Sequence, residues 1–139
     1  MMLSTSEDIA LKAMIYISAA AGQSRCSINE ITQNELVPRV YLAKILKRLV
    51  QAGLLTSKRG VHGGYRLAKK RNEISFLSII EAVDGPFRSM VEHDDIHDIP
   101  QNNHPASKVL GDMHKRLTDK MSKMTLNKIN YKRFYPEFK

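Results

Sequence analysis

The side chains best placed to do chemistry lie between residues 39 and 62. Arg39, Lys44, Lys47 and Arg48 supply cationic donors, Tyr41 an amphipathic ring, and Arg59 with His62 a second basic group soon after. Guanidinium and ammonium groups make charge-assisted hydrogen bonds to phosphate oxygens, so this set suits recognition of a polyanion. Two smaller sets offer other chemistry. Cys26 is the single cysteine and follows Arg25. A nearby cation and a helix start both favour the thiolate, the reactive form. Sulfenic acid, a mixed disulfide with a small thiol, or a Cys26–Cys26 bridge across a dimer would then make it a redox switch. The competing reading is a small, buried, inert cysteine. His93, His97 and His104 lie among Asp94, Asp95 and Asp98, a spacing that a turn could gather on zinc or iron. The competing reading there is a solvated polar loop.

The elements that must position the basic set run from Pro38 to Leu67. Leu42, Ile45, Leu46 and Leu49 follow the i, i+3, i+4, i+7 rule and predict a helix with one buried stripe. The residues between them are long, polar and basic, so the opposite face carries the charge. Gly53 is a left-handed stop for that helix. Leu54–Ser57 and Tyr65–Leu67 predict two short strands, joined by the basic loop Lys58–Gly64. A basic helix beside a basic hairpin is the layout of a winged helix-turn-helix that grips DNA.

Charge supports that placement. Net charge is +8 and the isoelectric point about 9.7, which points to nucleic acid or an anionic membrane. Residues 1–75 hold 12 Lys and Arg against 5 Asp and Glu, whereas residues 76–139 hold 10 against 9. The excess thus coincides with the helix–hairpin unit. One cysteine rules out an intramolecular disulfide and leaves no thiolate set for a metal. The apolar run Ile9–Ala21 contains Lys12 and follows Glu7 and Asp8, which is not a secretion signal. No run is long enough to span a membrane, and a cytoplasmic protein is expected.

Ser4–Ser6 followed by Glu7 and Asp8 predicts the start of a first helix, with Ile9, Met14, Ile17 and alanines on its buried side. Ser27 with Glu30 predicts a capping box opening a second helix that buries Ile28, Ile31 and Leu36. Pro38 then opens the basic helix. Phe76–Val83 predicts a short helix burying Leu77, Ile80 and Val83. Residues 87–104 are acidic, His-rich and aperiodic, and are expected to form a mobile loop. From residue 105 to 127 helical spacing returns, with Leu110, Met113, Leu117, Met121 and Met124 in a heptad-like seam. Such a seam calls for a partner helix, either its copy in a second subunit or the protein's own first helix. Residues 128–139 form a basic aromatic tail, docked or disordered.

These residues resemble a known family. Leu3-Ser4-Thr5, Ser27-Ile28 with Glu30-Ile31, Tyr41-Leu42, Ala52-Gly53-Leu54, Gly63-Gly64-Tyr65-Arg66-Leu67 and Glu81-Ala82-Val83-Asp84-Gly85-Pro86 match the Rrf-two (Rrf2) family of IscR, NsrR and CymR-like bacterial transcription regulators. The match covers residues 3–86. The resemblance implies a mainly α fold with a small β-hairpin wing: a winged helix-turn-helix over residues 1–86 and a long C-terminal dimerisation helix. It implies a homodimer on a roughly palindromic operator, with the Pro38–Gln51 helix in the major groove and Arg59 in the minor groove. The DNA-contacting set is then Ser27, Arg39, Tyr41, Lys44, Lys47, Arg48, Arg59 and His62. Tyr41 either touches DNA or packs against the wing, and aromatic residues do both.

The chain departs from the family pattern in three places. Ala43 stands where many members carry an acidic residue. A carboxylate accepts from cytosine, whereas Ala can touch a thymine methyl, so a different operator is expected. Val61-His62 replaces the usual Pro-Gly of the wing. Cluster-binding members place three cysteines before the long helix; none stands here, and a conventional iron–sulfur cluster is not expected.

The expected function is a sequence-specific DNA-binding regulator, a repressor acting as a homodimer, with Cys26, an effector small molecule or a protein partner as the source of the signal. The alternative is a winged-helix interaction module whose loop and tail recruit a partner protein, and a third reading is RNA binding by the same surface. An enzyme is not expected: no nucleophile–base pair, phosphate-cradling loop or metal-ligand set is present, and Gly60–Gly64 joins two strands rather than a strand and a helix.

Overall fold

The computed structural model describes residues 3–21, 25–87 and 104–138. The elements run α1 (Thr5–Ala19), α2 (Ile28–Glu35), α3 (Arg39–Gln51), β1 (Leu55–Lys58), β2 (Gly64–Leu67), α4 (Phe76–Asp84), α5 (Pro105–Lys123) and α6 (Tyr131–Phe134), with short 3-10 turns at Arg71–Glu73 and Leu126–Lys128. The architecture is mainly helical with one two-stranded antiparallel hairpin.

Helix α1 is the hub. Ser4 and Glu7 form a reciprocal capping box, each side chain accepting from the other's backbone N–H at 3.1 Å. Ile9, Ala10, Met14 and Ile17 are buried, and the helix packs against α2, α3, α4 and β2. Neighbours on several sides explain why its sequence is apolar nearly all round. Ser4 Oγ also donates to Asp84 at 2.6 Å, tying the start of α1 to the end of α4.

Helix α2 opens as predicted at Ser27, whose hydroxyl accepts from the Glu30 N–H at 3.1 Å. The box does not close, because the Glu30 carboxylate accepts from the Tyr16 hydroxyl at 3.0 Å instead. Leu36 corrects the expected buried set. It ends α2 in the left-handed conformation, φ 53°, and is 88% exposed. That turn swings Val37 into the core position that Leu36 was expected to fill.

Helix α3 buries Leu42, Ile45, Leu46 and Leu49, as its spacing requires. Pro38 precedes it as the N-cap. Gly53, at φ 79°, ends it with paired bonds from Gly53 N to Val50 O and from Leu54 N to Leu49 O, both 3.0 Å. This double closure satisfies carbonyls that the last turn would leave open. In α4 the buried stripe is Ile79, Ile80 and Val83, with Phe76 packed against the core; Leu77 is half-buried rather than central.

Helix α5 stops at Lys123, short of the expected residue 127. Leu126 is fully buried in the core, and the chain must leave the helix to deliver it there. The exit is fixed by a short antiparallel bridge, with Phe76 N donating to Met124 O at 2.9 Å and Leu126 N to Ile74 O at 3.0 Å. The aromatic tail is docked. The Tyr131 hydroxyl lies within hydrogen-bond distance of Ser18 Oγ and the Leu126 carbonyl, and Arg71 stacks 4.4 Å over its ring. Tyr135 and Phe138 meet Tyr16 edge-on, at centroid distances of 6.0 and 5.5 Å. The expected loop at 87–104 falls, but for its ends, outside the described residues.

Candidate nucleic-acid interface

The buried stripe of α3 fixes what the helix shows to solvent. At about 100° per residue, the face opposite Leu42, Ile45, Leu46 and Leu49 is centred on Val40, Lys44, Lys47 and Gln51, with Ala43 beside them. All are exposed. Tyr41 flanks this face and is 56% exposed. Among the described residues the sole ion pair joins Lys12 to Asp8. No described carboxylate therefore neutralises Lys44, Lys47 or the cations of the hairpin.

The two arginines of α3 are held at its edges. Arg39 donates to the Asn29 side-chain carbonyl on α2, which braces the two helices of the helix-turn-helix. Arg48 donates to the Val83 carbonyl at 2.8 Å, in the last turn of α4. A cation there complements the negative end of the helix dipole, so Arg48 braces α3 against α4.

The hairpin pairs Leu55 with Leu67 and Lys58 with Gly64, which places Arg59, Val61 and His62 in its exposed connecting turn. Gly60 has φ 112°, and Gly63 N donates back to Gly60 O at 2.9 Å, closing the turn. A third segment, which strand periodicity could not reveal, anchors the hairpin. Cys26 N donates to Tyr65 O at 2.9 Å and Tyr65 N to Cys26 O at 2.7 Å. Arg25 adds bonds from its guanidinium to Thr56 O and Oγ1, each at 3.2 Å. Ser27 follows directly, exposed at the N-terminus of α2. The wing, the start of α2 and α3 thus form one braced unit.

Cys26 lies in the core. It is 2% exposed, and burial, followed by the nearby Glu30 carboxylate, pushes its thiol up to about 12. The cation expected to stabilise a thiolate is engaged elsewhere, on Thr56. Both changes oppose the reactive form.

The seam of α5 divides. Leu110 and Met113 are exposed, as is Val109 beside them, whereas Leu117 and Met121 are half-buried and Met121 packs against the core. Met124 is half-buried at the helix end, outside the last turn. His104 caps α5, its Nδ1 accepting from the Ala106 N–H at 3.1 Å. His93 and His97 lie outside the described residues. Among the described residues no group of three His, Cys, Asp or Glu converges on one point, and no helix is long and apolar enough to cross a membrane.

Nothing in the sequence pattern signals the bond from Arg25 to Thr56, whose partners are 31 positions apart. The exposed Val40 was legible: the same periodicity that buries Leu42 and Leu49 turns Val40 outward.

Comparison with known proteins places this geometry. A family model described as Rrf2, iron-dependent transcriptional regulator, matches residues 3–132. A protein of Synechocystis named as an HTH-type transcriptional regulator is 26% identical over 131 residues, covering 94% of this chain and 88% of its own length. The structure of CymR, the global cysteine regulator of B. subtilis, is similar with a TM-score of 0.79 and 27% identity, over 91% of this chain and 94% of that one. IscR of T. potens shares the fold, with a TM-score of 0.73 and 24% identity over 91% of this chain and 84% of that one.

Proposed function

Because the chain belongs to the Rrf2 family of transcriptional regulators, we propose that it binds a two-fold-symmetric DNA operator as a homodimer and represses transcription there. The family consists of transcriptional regulators, not enzymes, and in this reading the winged helix-turn-helix is the part that binds DNA. The observation that carries the finer reading is the exposed face of α3, with Lys44 and Lys47 unneutralised among the described residues, braced beside a basic wing. In this reading α3 enters the major groove, Tyr41 and Lys44 reach bases or backbone, and Lys47 takes phosphate. Arg59 reaches the narrow, strongly negative minor groove, and His62 and Ser27 donate to phosphates. Arg39 and Arg48 act chiefly by holding α3 in place.

The exposed Val109, Leu110 and Met113 on α5 support pairing with a second copy, since an apolar stripe on a solvent-facing helix is stabilised by a partner helix. Two copies related by a two-fold axis present two α3 helices, and operator symmetry follows from protein symmetry.

Iron, which the family's description names, finds no ligand set among the described residues. The chain's one cysteine is buried in the bridge to Tyr65 and cannot supply the thiolates of a cluster. A redox response through Cys26 requires its surroundings to open, because the thiol is enclosed and burial favours its protonated form. The groove of about 480 Å³ between α4 and α5, lined by Phe76, Met121 and Met124 with Asp119, Lys120, Lys123 and Lys128, is the place this reading assigns to a small effector.

Selection from a random duplex pool tests the function. Enrichment of an inverted repeat supports it. Retention of all duplexes alike, with no enriched motif, overturns it in favour of the interaction module.

A further inference from the structure

Val40 is an anomaly on α3. It is 71% exposed, in the first turn, at the centre of the face that otherwise presents Lys44, Lys47 and Gln51. Ala43 lies one turn further along the same face and is also exposed. Neither belongs to the buried stripe of this helix, which is Leu42, Ile45, Leu46 and Leu49. A β-branched residue gains nothing in helix propensity at an exposed position, and its methyls remain in water until something covers them.

The surroundings restrict what that cover can be. Lys44 and Lys47 stand beside the two small apolar side chains on the helix, and no described carboxylate neutralises either lysine. This arrangement complements a polyanion that carries small apolar groups on its surface. The edges of base pairs in the major groove present one such group, the C5-methyl of thymine. The first turn of a helix-turn-helix reading helix is also the part that reaches base edges.

We propose that Val40 and Ala43 form an apolar reading surface for thymine methyl groups within each half-site, distinguishing T·A from C·G pairs. The inference rests on the operator-binding reading above and adds to it the base type that the centre of α3 selects. Lys44 and Lys47 anchor the helix on the backbone, while Val40 supplies discrimination that charge alone cannot. Covering one methyl-sized group corresponds to about fourfold in affinity.

The test uses deoxyuridine, which differs from thymidine by the missing C5-methyl. Each thymine of the selected duplex is replaced in turn, and the dissociation constant is measured for the full chain and for its Val40→Ala and Ala43→Gly variants. The expected result is a loss of about fourfold at one or more thymines per half-site for the unaltered chain. At one such position Val40→Ala binds more weakly with thymine and is indifferent to uracil. Val40 is exposed, and unchanged thermal melting of the variant separates recognition from folding. Selective binding that tolerates uracil at every position overturns the inference and leaves the operator reading standing. A uracil penalty of the same size in the chain and in both variants overturns it as well. Absence of any selective binding overturns both.

Discussion

The Tyr135 hydroxyl donates to the Glu35 carboxylate at 2.6 Å, joining the C-terminal tail to the last turn of α2 across 100 positions of sequence. Helix α2 leads directly into the turn before α3, so the tail braces the unit that presents the reading helix. Hydrogen bonds to ionised groups contribute about 1.5–3 kcal/mol, and partial exposure places this one near the lower end. Tyr135→Phe is therefore expected to lower stability by about 1–2 kcal/mol in urea unfolding. A double-mutant cycle with Glu35→Gln checks the pair, and a coupling energy near zero contradicts the brace.

Alkaline pH should loosen the same region. Burial, followed by facing carboxylates, raises the pKa of Tyr16 and Tyr135, and burial raises that of Tyr131. Cys26 rises from 9.0 to about 12. A group whose folded pKa is raised favours the protonated form in the folded state. Its contribution is complete below the unfolded value and is lost as pH climbs toward the folded one. Stability is expected to hold near pH 8 and to fall from about pH 9 upward, read as the urea midpoint at a series of pH values. In Cys26→Ala the earliest part of that decline should disappear. A midpoint that is flat to pH 11 contradicts the assignment.

Thiol chemistry offers a second reading of the same burial. An enclosed, protonated thiol reacts with an aromatic disulfide reagent far more slowly than free cysteine at the same pH, because the thiolate is the nucleophile. Reaction should accelerate to the free rate in denaturant. Rapid reaction of the native protein at pH 7 would instead show Cys26 poised as a sensor.

The wing depends on a glycine for close approach. A Cβ on Gly64 would lie 2.4 Å from the Cys26 carbonyl oxygen, at φ 129°. Gly64→Ala should disrupt the Cys26–Tyr65 bridge and cost more than about 2 kcal/mol. Gly60→Ala, with open space around it, should cost about 1–2 kcal/mol from backbone strain alone. Comparable melting temperatures for the two variants would contradict the steric argument.

Arg48 and Arg59 should separate stability from binding. Arg59→Ala is expected to weaken DNA binding by about 1–3 kcal/mol with unfolding unchanged. Arg48→Ala should lower stability by about 1 kcal/mol through loss of its bond to the Val83 carbonyl, with a smaller effect on DNA. The reverse pattern would contradict the placement of both.

The stripe Leu42–Leu49, the stop at Gly53 and the hairpin from Leu55 to Leu67 were legible because local periodicity and turn chemistry decide them. The docking of Tyr135 on Glu35, the bond from Arg48 to Val83 and the bridge from Cys26 to Tyr65 were not, because each joins segments distant in sequence. Leu36 misled for a related reason. Helical spacing assigned it to the core, but the turn into α3 needs a left-handed residue there and gives the core position to Val37. Arg48 shows the limit for the candidate site: its charge and spacing matched the reading face, and only the packing of α4 beside it shows that its guanidinium is engaged.

If α3 and the wing read a DNA sequence, binding must discriminate between duplexes. The most direct test is fluorescence anisotropy of the full chain on the selected inverted repeat and on a scrambled duplex of equal length, at one fixed salt concentration. The repeat is expected to bind at least about a thousandfold more tightly, with both affinities falling as salt rises. Equal affinity for the two duplexes would contradict sequence-specific recognition.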